Sequence, residues 1–123
     1  MNRDINVLAL AYLGDSIYEV YIRKYLIDKG ICNVNELQKE AIKYVSAKGQ
    51  ANFLNKMLED NFFDEKEISI IYRGRNHKSH KSPKNTDIKT YKEATGFETI
   101  IGYLYINNKN DRINDIMNYI LEV

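Results

Sequence analysis

A single proline, Pro83, interrupts this chain of 123 residues, and on both sides of it apolar residues recur every three or four positions. That spacing belongs to a helix face and not to the alternation of a strand. The signals between the runs are helical too. Gly30 is placed as the C′ residue of a first long helix. Asn33 with Glu36 opens a second, lined by Leu37, Ala41, Tyr44 and Val45, and Ser46 caps a third, lined by Ala47, Ala51, Leu54 and Leu58. Asp64 with Glu67 starts a shorter helix through Ile68, Ile71 and Tyr72. Thr90 with Glu93 reads as the capping box of TYKEATGFETIIGYLYI, whose apolar face is Ala94, Phe97, Ile101, Leu104 and Tyr105. Residues 111 to 122 carry Ile113, Ile116, Met117 and Ile120 on one side. The expected fold is all-α, about six helices in one domain over residues 1–123, with 76 to 88 as its one long loop. A chain of this length buries roughly 65% of its unfolded surface, enough for a single core.

The first helix, LAYLGDSIYEVYIRKYL, is apolar on two faces. One stripe is Leu10, Leu13, Ile17, Val20 and Tyr21; the other runs through Leu8, Ala11, Asp15, Tyr18, Ile22 and Leu26. Only Tyr12, Ser16, Glu19 and Arg23 form a polar strip, with Glu19 and Arg23 spaced to pair. Asp15 is not on it. A carboxylate in apolar surroundings is costly unless a cation, a metal or several donors meet it. Glu98 raises the same question at the margin of the fifth helix's apolar face.

The composition, 44% apolar and 28% charged, is that of a soluble globular protein. No apolar run approaches the ~20 residues that span a bilayer, and MNRDINV has no signal-peptide core, so the cytoplasm is the expected compartment. Cys32 is the only cysteine, which excludes an internal disulfide and suggests a small, partly buried filler. Net charge is +1 overall, but from Arg73 to Lys92 seven cations face one acid, a local +6 that leaves −5 for the remainder. Such segregation suits an anionic partner, nucleic acid being the commonest, although a solvated basic loop has the same composition.

Two acids on apolar helix faces can converge into one site. Carboxylate oxygens suit Mg²⁺ or Mn²⁺, and a basic loop leading into the helix that bears Glu98 points to metal-assisted chemistry on a phosphodiester. The plainer alternative is that either acid caps a helix or pairs with a buried Arg or Lys. His77 and His80 fall in the loop among cations, where a metal site is not expected. The ten tyrosines lie mostly on apolar faces and read as core. Arg73-Gly74-Arg75 has no phosphate-loop spacing. Gly14 and Gly102 lie within helices, where glycine costs about 1 kcal/mol relative to alanine, so close backbone approach is expected there.

LAYLGDSIYE resembles the ribonuclease III signature centred on Leu-Gly-Asp, and GFETIIGYLYI resembles that family's second acidic segment. Together with VSAKGQA, RGRNHKS and PKNTDIKTY, in the same order and over nearly the whole chain, they resemble the Mini-ribonuclease III group, the short members without a double-stranded-RNA-binding domain. The resemblance implies a homodimeric, all-helical endoribonuclease that cuts double-stranded RNA with Mg²⁺, Mn²⁺ being a substitute, and matures large-subunit (23S) ribosomal RNA precursor, with a ribosomal protein as a further partner. By motif, Asp15 and Glu98 are its metal-binding catalytic acids. Longer family members carry further acids four residues before the signature Asp and three before the second-segment Glu; here those positions are Ala11 and Thr95, as in the short group. The expected RNA-binding residues are Arg73, Arg75, Lys78, Lys84 and Lys89, with Asn85 and Thr86 as polar helpers. Two readings of other classes stay open: a nuclease-like fold that only binds structured RNA or assists ribosome assembly, and a purely structural helical dimer.

Overall fold

The computed structural model describes residues 5–78 and 87–122, and these form six α-helices with no strand among them. They are α1 (Val7–Asp28), α2 (Val34–Val45), α3 (Ala47–Glu59), α4 (Glu65–Arg75), α5 (Ile88–Ile106) and α6 (Asn110–Leu121). The expected caps hold at α2, α3 and α4. Asn33, Ser46 and Asp64 each accept from the backbone three residues on, and Glu67 returns the bond to the Asp64 N–H at 3.0 Å. Gly30, at φ +101°, ends α1 in a conformation that side chains rarely tolerate, as its C′ role requires.

The fifth helix begins three residues before the expected start. Asp87 is its N-cap, accepting from the Thr90 N–H at 2.8 Å and the Thr90 hydroxyl at 3.0 Å. An ionised carboxylate is the stronger acceptor for the positive end of a helix, so Thr90 lies inside the first turn. Glu93, freed from capping, turns inward and accepts from Asn55 of α3 at 3.3 Å. Arg73 and Arg75 belong to the last turn of α4 and not to a loop.

The fold is organised around α5, which packs most extensively on α1 and then on α4 and α3. Its residues from Glu93 to Gly102, Glu98 excepted, are buried on every side. Phe97 meets the Tyr18 ring of α1 edge-on with centroids 4.9 Å apart, and Ile100, Ile101 and Leu104 complete the core with Ile113, Ile116, Met117 and Ile120 of α6. On α1 the core-facing stripe is Leu10, Ala11, Gly14, Tyr18, Ile22 and Leu26. The other apolar stripe is covered only in part: Leu13, Ile17 and Tyr21 are half-buried and Val20 is 64% exposed. Of the ten tyrosines, Tyr18 is fully buried and Tyr21, Tyr25, Tyr44, Tyr103 and Tyr119 pack partly buried against the core, in line with the expectation, while Tyr12, Tyr72 and Tyr105 are exposed. The buried Tyr18 hydroxyl finds an acceptor, donating to the Tyr44 carbonyl at 3.0 Å. Cys32, in the turn between α1 and α2, is exposed and fills nothing.

Gly14 and Gly102 explain how α1 and α5 sit. A Cβ on Gly14 would lie 1.8 Å from the Glu98 carbonyl oxygen, and one on Gly102 would lie 1.9 Å from that of Leu10. The helices touch backbone to backbone, so only glycine fits at either position. Gly14→Ala or Gly102→Ala is expected to force the pair apart and cost about 3 kcal/mol, in the upper range for overpacking. Urea unfolding of each variant measures this, and an unchanged midpoint with unchanged slope would show that the contact is not tight in solution.

Candidate active site

The backbone contact between α1 and α5 also builds a site. Asp15 directly follows Gly14, and Glu98 is the residue whose carbonyl lies against Gly14, so two acids 83 positions apart in sequence meet, both half-buried. Burial pushes the Glu98 carboxyl up to about 8, and the charge of Asp15 and its hydrogen bond to Glu98 push in the same direction. Glu19, one helical turn beyond Asp15, adds a smaller repulsion, while the side-chain amide of Gln50 on α3 opposes the shift by hydrogen bonding to Glu98. Among the described residues no lysine or arginine pairs with Asp15 or Glu98.

Glu67 shows what the plainer alternative looks like. It is equally misplaced on a buried helix face, but Arg112 of α6 meets it with two bonds of 2.7 and 2.9 Å and ties in the Phe62 carbonyl at 2.7 Å. That acid is structural. Asp15 and Glu98 instead meet each other through a hydrogen bond, and on losing the shared proton their oxygens suit a hard divalent cation that takes oxygen ligands and keeps several waters.

Ala11 and Thr95 are both buried, and the Thr95 hydroxyl donates to the Tyr91 carbonyl at 3.0 Å. Neither position offers a further acid, and among the described residues no three His, Cys, Asp or Glu side chains cluster as a metal site.

The expected RNA-binding residues separate into groups. Arg75 and Lys89 line one surface cleft with Asn76 and Lys92, bringing the end of α4 beside the start of α5. Arg73 lines another with Asn6, Ser69 and His77 near the beginning of α1. Lys78 is exposed just beyond α4. Lys84, Asn85 and Thr86, like His80, lie outside the described residues. Two contributors were missed in sequence. Lys48 joins Lys89 and Thr90 along a polar cleft between α3 and α5, and Gln50 reaches Glu98. Gln50 falls on the same helical face as Leu54 and Met57, so a polar residue on an apolar stripe was the available signal.

The Ribonuclease III domain matches residues 8–109, spanning both acids and the basic segment between them. The Mini-ribonuclease 3 of Enterococcus faecalis is 44% identical, the match covering 98% of this chain and 91% of that protein. The chain belongs to the Mini-ribonuclease III family. The family member from Acholeplasma laidlawii is 48% identical, covering 93% of this chain and 90% of the relative. A crystal structure of a Fusobacterium nucleatum protein, 36% identical, superposes with a TM-score of 0.88 over 99% of this chain and 98% of that one. The fold around the two acids is therefore a ribonuclease III fold, all-α as the sequence led one to expect.

The raised Glu98 carboxyl has a consequence for stability. Its proton is held up to about pH 8 in the folded protein and lost near the ordinary carboxylate value when unfolded. Between those values the folded state binds the extra proton, so stability is fully present at low pH and falls as pH rises through about 8. Thermal unfolding without divalent cations is expected to show this decline in the wild type and a flatter profile in Glu98→Gln. Parallel profiles would mean that Glu98 ionises normally.

Proposed function

We propose that this RNA endonuclease of the ribonuclease III family cuts double-stranded RNA by divalent-cation-assisted hydrolysis at Asp15 and Glu98. The observation that carries the reading is the convergence of these two carboxylates, without a counter-cation among the described residues, at the backbone contact of α1 and α5. Two carboxylates fit Mg²⁺, which takes few protein oxygens and keeps its waters, with Mn²⁺ as a substitute. When bound, the cation supplies an activated water and stabilises the charge that develops on the phosphate. Water attacks phosphorus and gives up a proton to solvent as the bond to the 3′ oxygen breaks, and that oxygen takes up a proton, leaving 5′-phosphate and 3′-hydroxyl ends. Asp15 and Glu98 would hold the cation beside that phosphate, and the tight helix contact behind them limits how far either can move.

Arg73, Arg75, Lys78 and Lys89, with Lys84, Asn85 and Thr86, would hold the duplex chiefly through phosphates and 2′-hydroxyls, as A-form RNA requires. The substrate within this reading is the large-subunit ribosomal RNA precursor, shaped by a ribosomal protein, and the compartment is the cytoplasm. No helix among the described residues is long and apolar enough to cross a membrane. The acting species is a homodimer of this one catalytic domain, each subunit cutting one strand. Its support is the uncovered side of α1, where Tyr12 is 83%, Val20 64% and Ile27 56% exposed, with Val34 and Ile42 of α2 exposed beside Ile27.

Long duplex RNA with Mg²⁺ should be cut by the wild type and left intact by Asp15→Asn, with folding and RNA binding kept in both. Binding without cleavage by the wild type, even with Mn²⁺ and structured ribosomal RNA, would favour the non-catalytic RNA-binding module instead. Neutralising Arg73, Arg75 and Lys89 together should flatten the slope of log K against log salt by roughly two to three. An unchanged slope would remove this face from the RNA interface.

A further inference from the structure

Gln50 is a polar side chain on the buried face of α3, set beside Ala51, Leu54 and Met57 and only 1% exposed. Its amide nitrogen donates to the Val45 carbonyl at 3.1 Å, which fixes which way round the carboxamide lies. The same side chain hydrogen-bonds Glu98. The two N–H groups are thus committed, one to the end of α2 and one to the acid on α5. The carbonyl oxygen, Oε1, is buried and has no hydrogen-bond partner.

An orphaned buried acceptor is rare in a folded protein and calls for a donor. Asp15 and Glu98 supply none once both are ionised to hold a cation, because a carboxylate only accepts. The Gln50 side chain thus links α3 to the acid pair of α1 and α5 and leaves one acceptor of its own unmet. What would satisfy that acceptor and the two carboxylates together is water held by a cation, whose hydrogens point outward and are made more acidic by the charge.

Resting on the dicarboxylate reading above, we propose that Gln50 is a positioning residue of the cation site: its Oε1 accepts from a water in the cation's hydration shell while its N–H steadies Glu98. It touches neither the phosphate nor the cation itself. Its effect should therefore appear in metal binding by the free protein, without RNA and without turnover. A purely structural strut from α3 to the end of α2 would act on folding alone.

The test is Mn²⁺ binding to the free protein, followed by electron paramagnetic resonance, for the wild type and for Gln50→Met, Gln50→Asn, Gln50→Glu and Asp15→Asn, with folding checked by circular dichroism. Methionine keeps the shape and removes both polar groups; asparagine keeps the amide but withdraws it. Both are expected to weaken Mn²⁺ binding about tenfold, the size typical of lost support around a metal ligand. Gln50→Glu keeps an acceptor oxygen but loses the N–H groups, and is expected to bind more tightly than Gln50→Met. If methionine does not fold, the asparagine and glutamate variants decide the comparison. Wild-type affinity in the folded methionine or asparagine variant, with Asp15→Asn weakened, would overturn the role of Gln50 and leave the dicarboxylate site standing. Wild-type affinity in Asp15→Asn, or no Mn²⁺ binding by the wild type, would overturn both.

Discussion

The structure depends on a contact with no side chain in it. Gly14 and Gly102 bring the backbones of α1 and α5 together so closely that a methyl group on either would strike a carbonyl oxygen of the other helix. Glycine inside a helix sacrifices stability through the entropy of the unfolded chain. Here it permits an approach that alanine would block, and dispersion contacts along the two helices offset the loss. Gly74 and Gly96 repeat the device between α4 and α5, with a Cβ on Gly74 falling 2.2 Å from the Thr99 hydroxyl and one on Gly96 2.9 Å from the Ile71 carbonyl oxygen. The central helix is thus held closely from two sides, and what it carries is held with it.

It carries Glu98, and the same closeness creates an electrostatic conflict. A carboxyl is driven out of water and against another acid, with one amide easing the charge. Elsewhere the molecule resolves such conflicts. Glu67 has Arg112, and the guanidinium also stacks over the Phe62 ring, 4.3 Å from its centroid. Leaving the conflict at Asp15 and Glu98 unresolved by any cation of the described chain keeps ligand oxygens available, at the expense of stability near and above neutral pH. The ribonuclease III family membership gives that arrangement its chemical context.

Much of the fold was legible because it follows from local rules. The caps at Asn33, Ser46 and Asp64, the stop at Gly30 and the buried stripe of α6 each depend on residues within one or two turns, and each was read correctly. The start of α5 was misread because Asp87 and Thr90 both have capping chemistry, and choosing between them depends on where Glu93 goes. That was decided by Asn55, 38 residues away. The two stripes of α1 were visible, but not which one faces the core. The apolar faces place six of the ten tyrosines in or against the core, while Tyr12, Tyr72 and Tyr105 are exposed.

The sequence by itself determined that the chain is helical, where most helices begin and end, and that Asp15 and Glu98 are out of place on their faces. Periodicity, caps and the cost of a charge among apolar residues are properties of short segments and can be read without coordinates. The tertiary structure alone decided that the two acids meet, that Glu67 has Arg112 and they have no such partner among the described residues, and that Gln50 stands behind them with an unpartnered oxygen. Those facts depend on how three helices cross. The crossing is set by the excluded volume of atoms far apart in sequence, which no local pattern records.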